Sequence, residues 1–291
     1  MVTNIRKLRR KIRTVRNIQH ITRAMRMVAA TRLKRIQSRV EMGRTYRDKL
    51  QEILARVAPL AAEVEHPLLA VRELRRVAVV PVAADRGLCG SYNANLNRKA
   101  HAAIEQVRQA ALDPLVVTIG RKARDYLSFR GVQPAQHFSQ LSSEAGIQQA
   151  LDIARYLREL YEREEVDEIR VIYSRFVSTI QHVPTEVRLL PLRPPEAAPP
   201  QAVVEYIFEP EPQRLFARML PRYVDTMVYH LLLEAAASEQ GARMAAMTAA
   251  TDNCEDLLAS LTREHNQARQ QAITSEVIEV ASGAEALKHW G

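Results

Sequence analysis

At 291 residues, 47% hydrophobic and 26% charged, the chain has the length and apolar content for one large domain or two small ones. Its two cysteines, Cys89 and Cys254, stand far apart with no CxxC and no His cluster, which argues against a disulfide framework or a zinc site and suits a reducing compartment. The net charge of +9 is unevenly spread: 13 of the first 40 residues are Lys or Arg, from Arg6 to Arg39, none is Asp or Glu, and the remainder sums to −4 (9 − 13).

The first predicted element is a helix over residues 3 to about 58. No proline precedes Pro59 and no glycine precedes Gly43. Apolar or small residues recur three and four apart at Ile5, Leu8, Ile12 and Val15, then at Ala29, Leu33, Ile36 and Val40. Between Gln19 and Arg26 the heptad is expected to slip, with the seam re-phased through Ile18, Ile21, Met25 and Val28. At 1.5 Å rise per residue such a helix would be roughly 85 Å long. A domain of this size cannot bury it, so most of its surface must meet water or a partner. The Arg-rich amphipathic start also suggests a mitochondrial presequence, but the pattern runs on to Pro59 without a cleavage-like break and Ser is scarce.

Residues 74 to 208 change character. Arg76 to Val82 reads as a buried strand, followed by the turn Asp85-Arg-Gly-Leu-Cys-Gly90 and a helix from Ser91 to Ala111. Leu115 to Ile119 is a second strand, broken by Gly120 and followed by a helix to Phe129. A third helix fits Ser143 to Glu164, with Ser142 or Ser143 as its cap. Glu168 to Tyr173 and Thr185 to Leu190 read as two more strands. Strands alternating with helices indicate an α/β sheet of Rossmann-like type. Eight of the 14 prolines then crowd residues 184–212, marking a loop at the exit from the sheet.

From about 213 to 287 the pattern is helical again. A heptad ladder runs through Leu233, Ala237, Met244, Met247, Thr251, Cys254, Leu258, Leu261, His265, Ala268 and Ala272. Small side chains dominate parts of it and allow close approach of a second helix. Two long terminal helices, each with one apolar stripe, pack most economically on each other. The expected fold is α+β: a long antiparallel coiled coil (residues 1–65 and 210–288) with an inserted α/β domain (74–208).

The Gly87-Leu-Cys-Gly90 turn lacks both GxGxxG and GxxxxGK[ST], so it is not built to cradle phosphates. Gly120-Arg-Lys122 reads as a tight turn with solvated charges. Arg86 stands three residues before Cys89, but no His lies close in sequence to serve as a base, and the thiol reads as structural. Cys254 and His265 fall on the ladder and read as packed residues. No HExxH, GxSxG or paired-carboxylate spacing occurs, and neither cofactor nor metal is expected. The basic helix asks for a negative partner, because like charges on successive turns destabilise a helix. Nucleic acid is one candidate, weakened by the absence of aromatic residues from the first 45 positions. An acidic protein surface is the other.

Three stretches carry a family resemblance: Ile18-Gln-His-Ile-Thr-Arg-Ala-Met-Arg-Met-Val-Ala-Ala-Thr-Arg-Leu33; Asp85-Arg-Gly-Leu-Cys-Gly-Ser-Tyr-Asn-Ala-Asn-Leu96; and Ser238-Glu-Gln-Gly-Ala-Arg-Met-Ala-Ala-Met-Thr-Ala-Ala-Thr-Asp-Asn253 with Asn266-Gln-Ala-Arg-Gln-Gln-Ala-Ile-Thr-Ser-Glu276. In this order, and with Ser282-Gly-Ala284 near the end, the chain resembles the gamma subunit of bacterial F-type ATP synthases throughout its length. The resemblance implies a non-catalytic rotor shaft with no small-molecule substrate of its own and no nucleic-acid partner. Its expected partners are a hexamer of alpha and beta subunits, an epsilon subunit and a membrane c-ring. The expected location is peripheral, on the cytoplasmic face of a bacterial inner membrane. It further implies beta-subunit coupling roles for Met25, Arg243, Arg269, Gln270, Thr274, Glu276 and Glu279, and a membrane-ring foot at Tyr206 and Glu209. A basic coiled-coil nucleic-acid-binding protein is the alternative, and an α/β nucleotide enzyme a third reading. The regulatory Cys-pair insert of the chloroplast type is not visible, and the run Pro191 to Pro200 has no counterpart in the resemblance.

Overall fold

The computed structural model describes residues 2–57, 66–139, 146–178, 181–192 and 211–288. Among the described residues, five helices and five strands follow in the order α1 (Val2–Val57), β1 (Arg76–Pro81), α2 (Tyr92–Gln109), β2 (Asp113–Ile119), α3 (Arg121–Phe129), β3 (Gln136–Phe138), α4 (Gly146–Glu162), β4 (Glu168–Phe176), β5 (His182–Leu190) and α5 (Pro212–Lys288). A short 3₁₀ turn spans Pro67–Leu69. The Ser142 or Ser143 cap and the ring-foot residues Tyr206 and Glu209 lie outside the described residues, as does most of the proline-rich run. By contacts the chain divides into two compact units, Met1–Val28 with Ala246–Gly291, and Ala29–Ala245.

In the first unit α1 and α5 pair antiparallel. Gln19 Nε2 donates to Glu255 Oε1 at 3.1 Å, and one turn on, Thr22 Oγ1 lies 2.9 Å from Thr251 Oγ1. The sheltered positions of α1 here are Ile5, Leu8, Ile12, Val15, Gln19, Thr22, Met25 and Arg26, so that Met25 alone of the four re-phased seam residues is partly covered. On α5 they include Met247, Thr251, Cys254, Leu258, Leu261, His265, Ala268 and Ala272, the ladder that the spacing predicts. The predicted slip of the α1 seam does not occur. The three-and-four spacing continues through Gln19 and Thr22, and Ile18, Ile21 and Val28 are left outside, 45%, 59% and 52% exposed. Polar side chains can hold these seam positions because they are satisfied there. Thr22 also donates to Gln19 O, and Thr251 to Met247 O.

In the second unit the sheet has the order β3-β2-β1-β4-β5. Strands β3, β2, β1 and β4 are parallel, and β5 closes the edge as an antiparallel hairpin partner of β4. The inner strands are apolar on both faces, as parallel strands covered from both sides must be. Val77, Val79, Val116 and Ile172 pack with Ala100, Ala103, Ile104 and Val107 of α2 and Leu127 of α3. The alternate residues Ala78, Val80, Leu115, Val117, Ile169 and Val171 point the other way. They pack with α4, with Leu50, Leu54 and Val57 of α1, and with α5 from Phe216 to Ala235. Farther along the same helices, Leu33, Ile36 and Val40 meet Leu233, Ala236 and Ala237, small residues that let the two helices come close.

Two elements depart from the sequence reading. Strand β3 is three residues long, Gln136–Phe138, and forms by pairing with β2 rather than from any strand-like run of its own. The 3₁₀ turn at Pro67–Leu69 was equally silent in the pattern. Its N-cap His66 accepts from Leu68 N–H, and Leu68 is buried in the main core.

Candidate functional site

In open α/β sheets the ligand crevice lies outside the carboxyl ends of the strands, where the strand order reverses. Here that place is beside β1 and β4, and α5 occupies it. Tyr92 Oη donates to Ala235 O at 3.2 Å, Ser238 Oγ donates to Ser174 O at 2.8 Å, and Arg243 Nη2 donates to Gly87 O at 3.3 Å. Every residue from Leu231 to Arg243 is buried, so α5 is enclosed on all sides for more than three turns. The backbone amides after β2 are also engaged within the fold. Arg121 N–H donates to Asp85 Oδ1, and Lys122 N–H donates to Ala84 O. The Gly-containing turns therefore hold strand ends and α5 together.

Around the Asp85–Gly90 turn the side chains form a buried polar cluster. Leu88 and Gly90 both take positive φ, 61° and 57°. Cys89 is buried, its Sγ receives a hydrogen bond from Asn93 Nδ2 at 3.1 Å, and burial pushes the thiol up, with Arg243 pulling partly against that. Burial likewise raises the Tyr92 hydroxyl well above its ordinary value. Arg243 forms an ion pair with Glu239, one turn back on α5, at 2.6 Å. This environment opposes thiolate formation, as expected of a structural cysteine.

The predicted coupling residues fall into separate places. Arg243 is 9% exposed in the second unit and is engaged inward, to Glu239 and Gly87. The others belong to the first unit. Met25 is half-buried on α1, whereas Arg269, Gln270, Thr274, Glu276 and Glu279 are exposed on α5. At about 100° per residue, Arg269 and Glu276 share one face and Gln270 and Thr274 another. Thr274 Oγ1 donates back to Gln270 O at 3.0 Å.

The sequence pattern missed a surface, because Ile18, Ile21 and Val28 were placed in the seam. With Met25 they form an apolar stripe on α1, about 100° around the helix from the seam. Cations flank it, and among the described residues none from Arg6 to Arg35 forms an ion pair with a carboxylate. The signal was available: helix α1 carries two apolar stripes, and only one can face α5.

A family model described as ATP synthase matches residues 4–287. The ATP synthase gamma chain of Desulforamulus reducens is 42% identical over 287 residues, covering 99% of this chain and all of that one. The chain belongs to the ATP synthase gamma-chain family. A solved central stalk and c-ring assembly of the Tetrahymena thermophila mitochondrial ATP synthase contains a chain that is 26% identical, with a TM-score of 0.60, covering 79% of this chain and 99% of that one. A chain of the Euglena gracilis mitochondrial enzyme shares the fold at 16% identity, with a TM-score of 0.70 and 99% of this chain covered.

Proposed function

We propose that the chain is the central rotor shaft of an F-type ATP synthase, non-catalytic itself, coupling proton flow through a membrane ring to the nucleotide sites of the beta subunits. Family membership supports this reading, and the observation that carries it onto this molecule is the outer surface of α1. That surface presents Ile18, Ile21 and Val28 to solvent amid cations that, among the described residues, form no ion pair with a carboxylate. An apolar stripe in a positive field fits acidic, partly apolar elements of surrounding subunits. Arg269, Gln270, Thr274, Glu276 and Glu279 supply the α5 side of that contact, with Met25 beside the stripe.

The functional parts are residues 1–65 and 210–288 as the shaft and 74–208 as the domain at its membrane end. Tyr206 and Glu209 are assigned to the ring contact. The partners are alpha and beta subunits, an epsilon subunit and the c-ring, and the location is peripheral on the cytoplasmic face of a bacterial inner membrane. Among the described residues no helix is long and apolar enough to cross a membrane. Co-expression with alpha and beta subunits tests the reading. A stable complex that hydrolyses ATP, with this chain at one copy per hexamer, is expected. A chain that stays alone and binds duplex DNA with a steep salt dependence would replace the rotor with the nucleic-acid reading.

A further inference from the structure

Within the second unit α1, α4 and α5 enclose a cleft of about 420 Å³ that the rotor reading does not use, a volume usual for small-molecule sites. Its walls are mainly apolar, from Met42 and Tyr46 of α1 and Ile147 and Leu151 of α4. Met42, Tyr46 and Ile147 are 67%, 56% and 62% exposed, so large side chains converge on a concavity instead of lying scattered. Gly43 of α1 also lines the cleft, and a Cβ there would meet nothing within 4 Å. Glycine weakens a helix interior relative to alanine, and no close approach of another element requires it here. What the missing side chain does is keep the cleft open.

The two charged side chains that line the cleft are both engaged. Asp225 Oδ1 is 3.2 Å from Arg158 Nε, and Arg39 has an interaction partner of its own. Close by, Arg47 Nη2 is 2.8 Å from Asp48 Oδ1. The lining therefore offers an ion of either sign no unanswered charge. Thr226 is satisfied as well, its hydroxyl donating to Arg222 O at 2.8 Å. His230 is the exception: it lines the cleft, is 5% exposed, and neither ring nitrogen is hydrogen-bonded. Nε2 lies 3.3 Å from Glu234 Oε1 without making that bond, and burial pushes the Glu234 carboxyl towards its neutral form. Burial first, then Arg47 and Arg44, lower the imidazole pKa to about 4, with Asp48 acting the other way, so the ring is neutral. A neutral imidazole has one N–H donor and one acceptor nitrogen. A hydroxyl both donates and accepts, so it answers either tautomer.

We propose that this cleft binds a small uncharged molecule, an apolar body carrying one hydroxyl, with the body over Gly43 between Met42, Tyr46, Ile147 and Leu151 and the hydroxyl on the His230 ring. The occupant covers the exposed apolar wall and supplies the hydrogen bond that the buried ring lacks. The site is independent of the contacts that carry the rotor reading.

Calorimetric titration of the full chain at neutral pH with para-ethylphenol, para-ethyltoluene, para-ethylbenzoate and para-ethylbenzylammonium tests it. The phenol is expected to saturate one site. The toluene, which has a methyl in place of the hydroxyl, should bind severalfold more weakly, and both ions at least tenfold more weakly. Gly43→Leu places a side chain in the cleft and is expected to weaken the phenol at least tenfold, with a melting temperature no lower than before. His230→Phe is expected to bring the phenol and the toluene to similar affinities. If that variant does not fold, the four probes and Gly43→Leu decide the matter alone. The proposal fails if the phenol does not saturate, if it binds no better than the toluene or either ion, or if Gly43→Leu leaves its binding untouched. It fails equally if a folded His230→Phe still prefers the phenol. Loss of phenol binding when the chain is assembled with alpha, beta and epsilon subunits also overturns it, since the cleft is then a protein-docking surface.

Discussion

Gly120 shows how a single residue can hold two strand ends together. Its φ of +89° is left-handed, and a Cβ there would stand 1.9 Å from Ala83 O, a backbone atom that cannot swing away. Gly120→Ala is expected to cost about 3 kcal/mol or more, read as a lower urea midpoint with an unchanged slope. His230 makes a prediction of opposite character. Its folded pKa of about 4 lies below the ordinary 6.5, so the fold favours the neutral ring. Its contribution is complete above pH 6.5 and is lost as pH falls towards 4, by up to roughly 3 kcal/mol. Glu234, whose pKa is raised, acts in the reverse sense and gains as pH falls. His230→Gln should therefore flatten the acid-side loss of stability between pH 6.5 and 4 in urea titrations at stepped pH. An unchanged slope would mean that the ring is charged in the folded state.

At the level of elements, the α5 ladder could be read from the sequence because its small and apolar residues recur at the helix period. The α1 seam was misread where Gln19 and Thr22 hold it, since periodicity scores residue type and cannot see that two threonines answer each other. Thr22→Val and Thr251→Val should each cost about 1 kcal/mol, because each hydroxyl keeps a carbonyl on its own helix. The double change should cost less than the sum, and additive costs would mean that the two side chains do not interact. Strand β3 was not legible because three residues carry no alternation, and its pairing with β2 is a long-range event. The filling of the crevice by α5 left a trace that was assigned only to the helix pair: Leu231 to Arg243 is rich in small residues on every side, the signature of a helix enclosed all round. Ala237→Leu, at a fully buried position against Leu33, Ile36 and Val40, should overpack that region. A loss of about 1–3 kcal/mol in thermal unfolding is expected.

At the scale of the whole molecule, charge and apolar area divide the coupling role. An exposed ion pair is worth roughly 0–1 kcal/mol and is screened by salt, so no single cation can carry the contact. Arg35→Gln should leave ATP synthesis by the assembled enzyme largely intact. Ile18→Asp with Ile21→Asp, which places carboxylates within the exposed stripe, should depress it severalfold while the complex still assembles. The reverse ranking would make one cation the contact and the stripe incidental. The enclosure of α5 by the sheet unit also governs how this chain comes into being. Helix α5 supplies core residues from Phe216 to Ala235 and then fills the crevice as far as Arg243. Strands β1 to β5 are all synthesised before any of that helix exists. On the ribosome they therefore wait with the α5-covered part of one face and the crevice open until about fifty further residues have been added, a delay of several seconds at ordinary elongation rates. A nascent chain halted some forty residues past Leu190, with β5 clear of the exit tunnel, should expose apolar sheet and recruit chaperones, and one halted some forty residues past Arg243, with that stretch clear of it, should not.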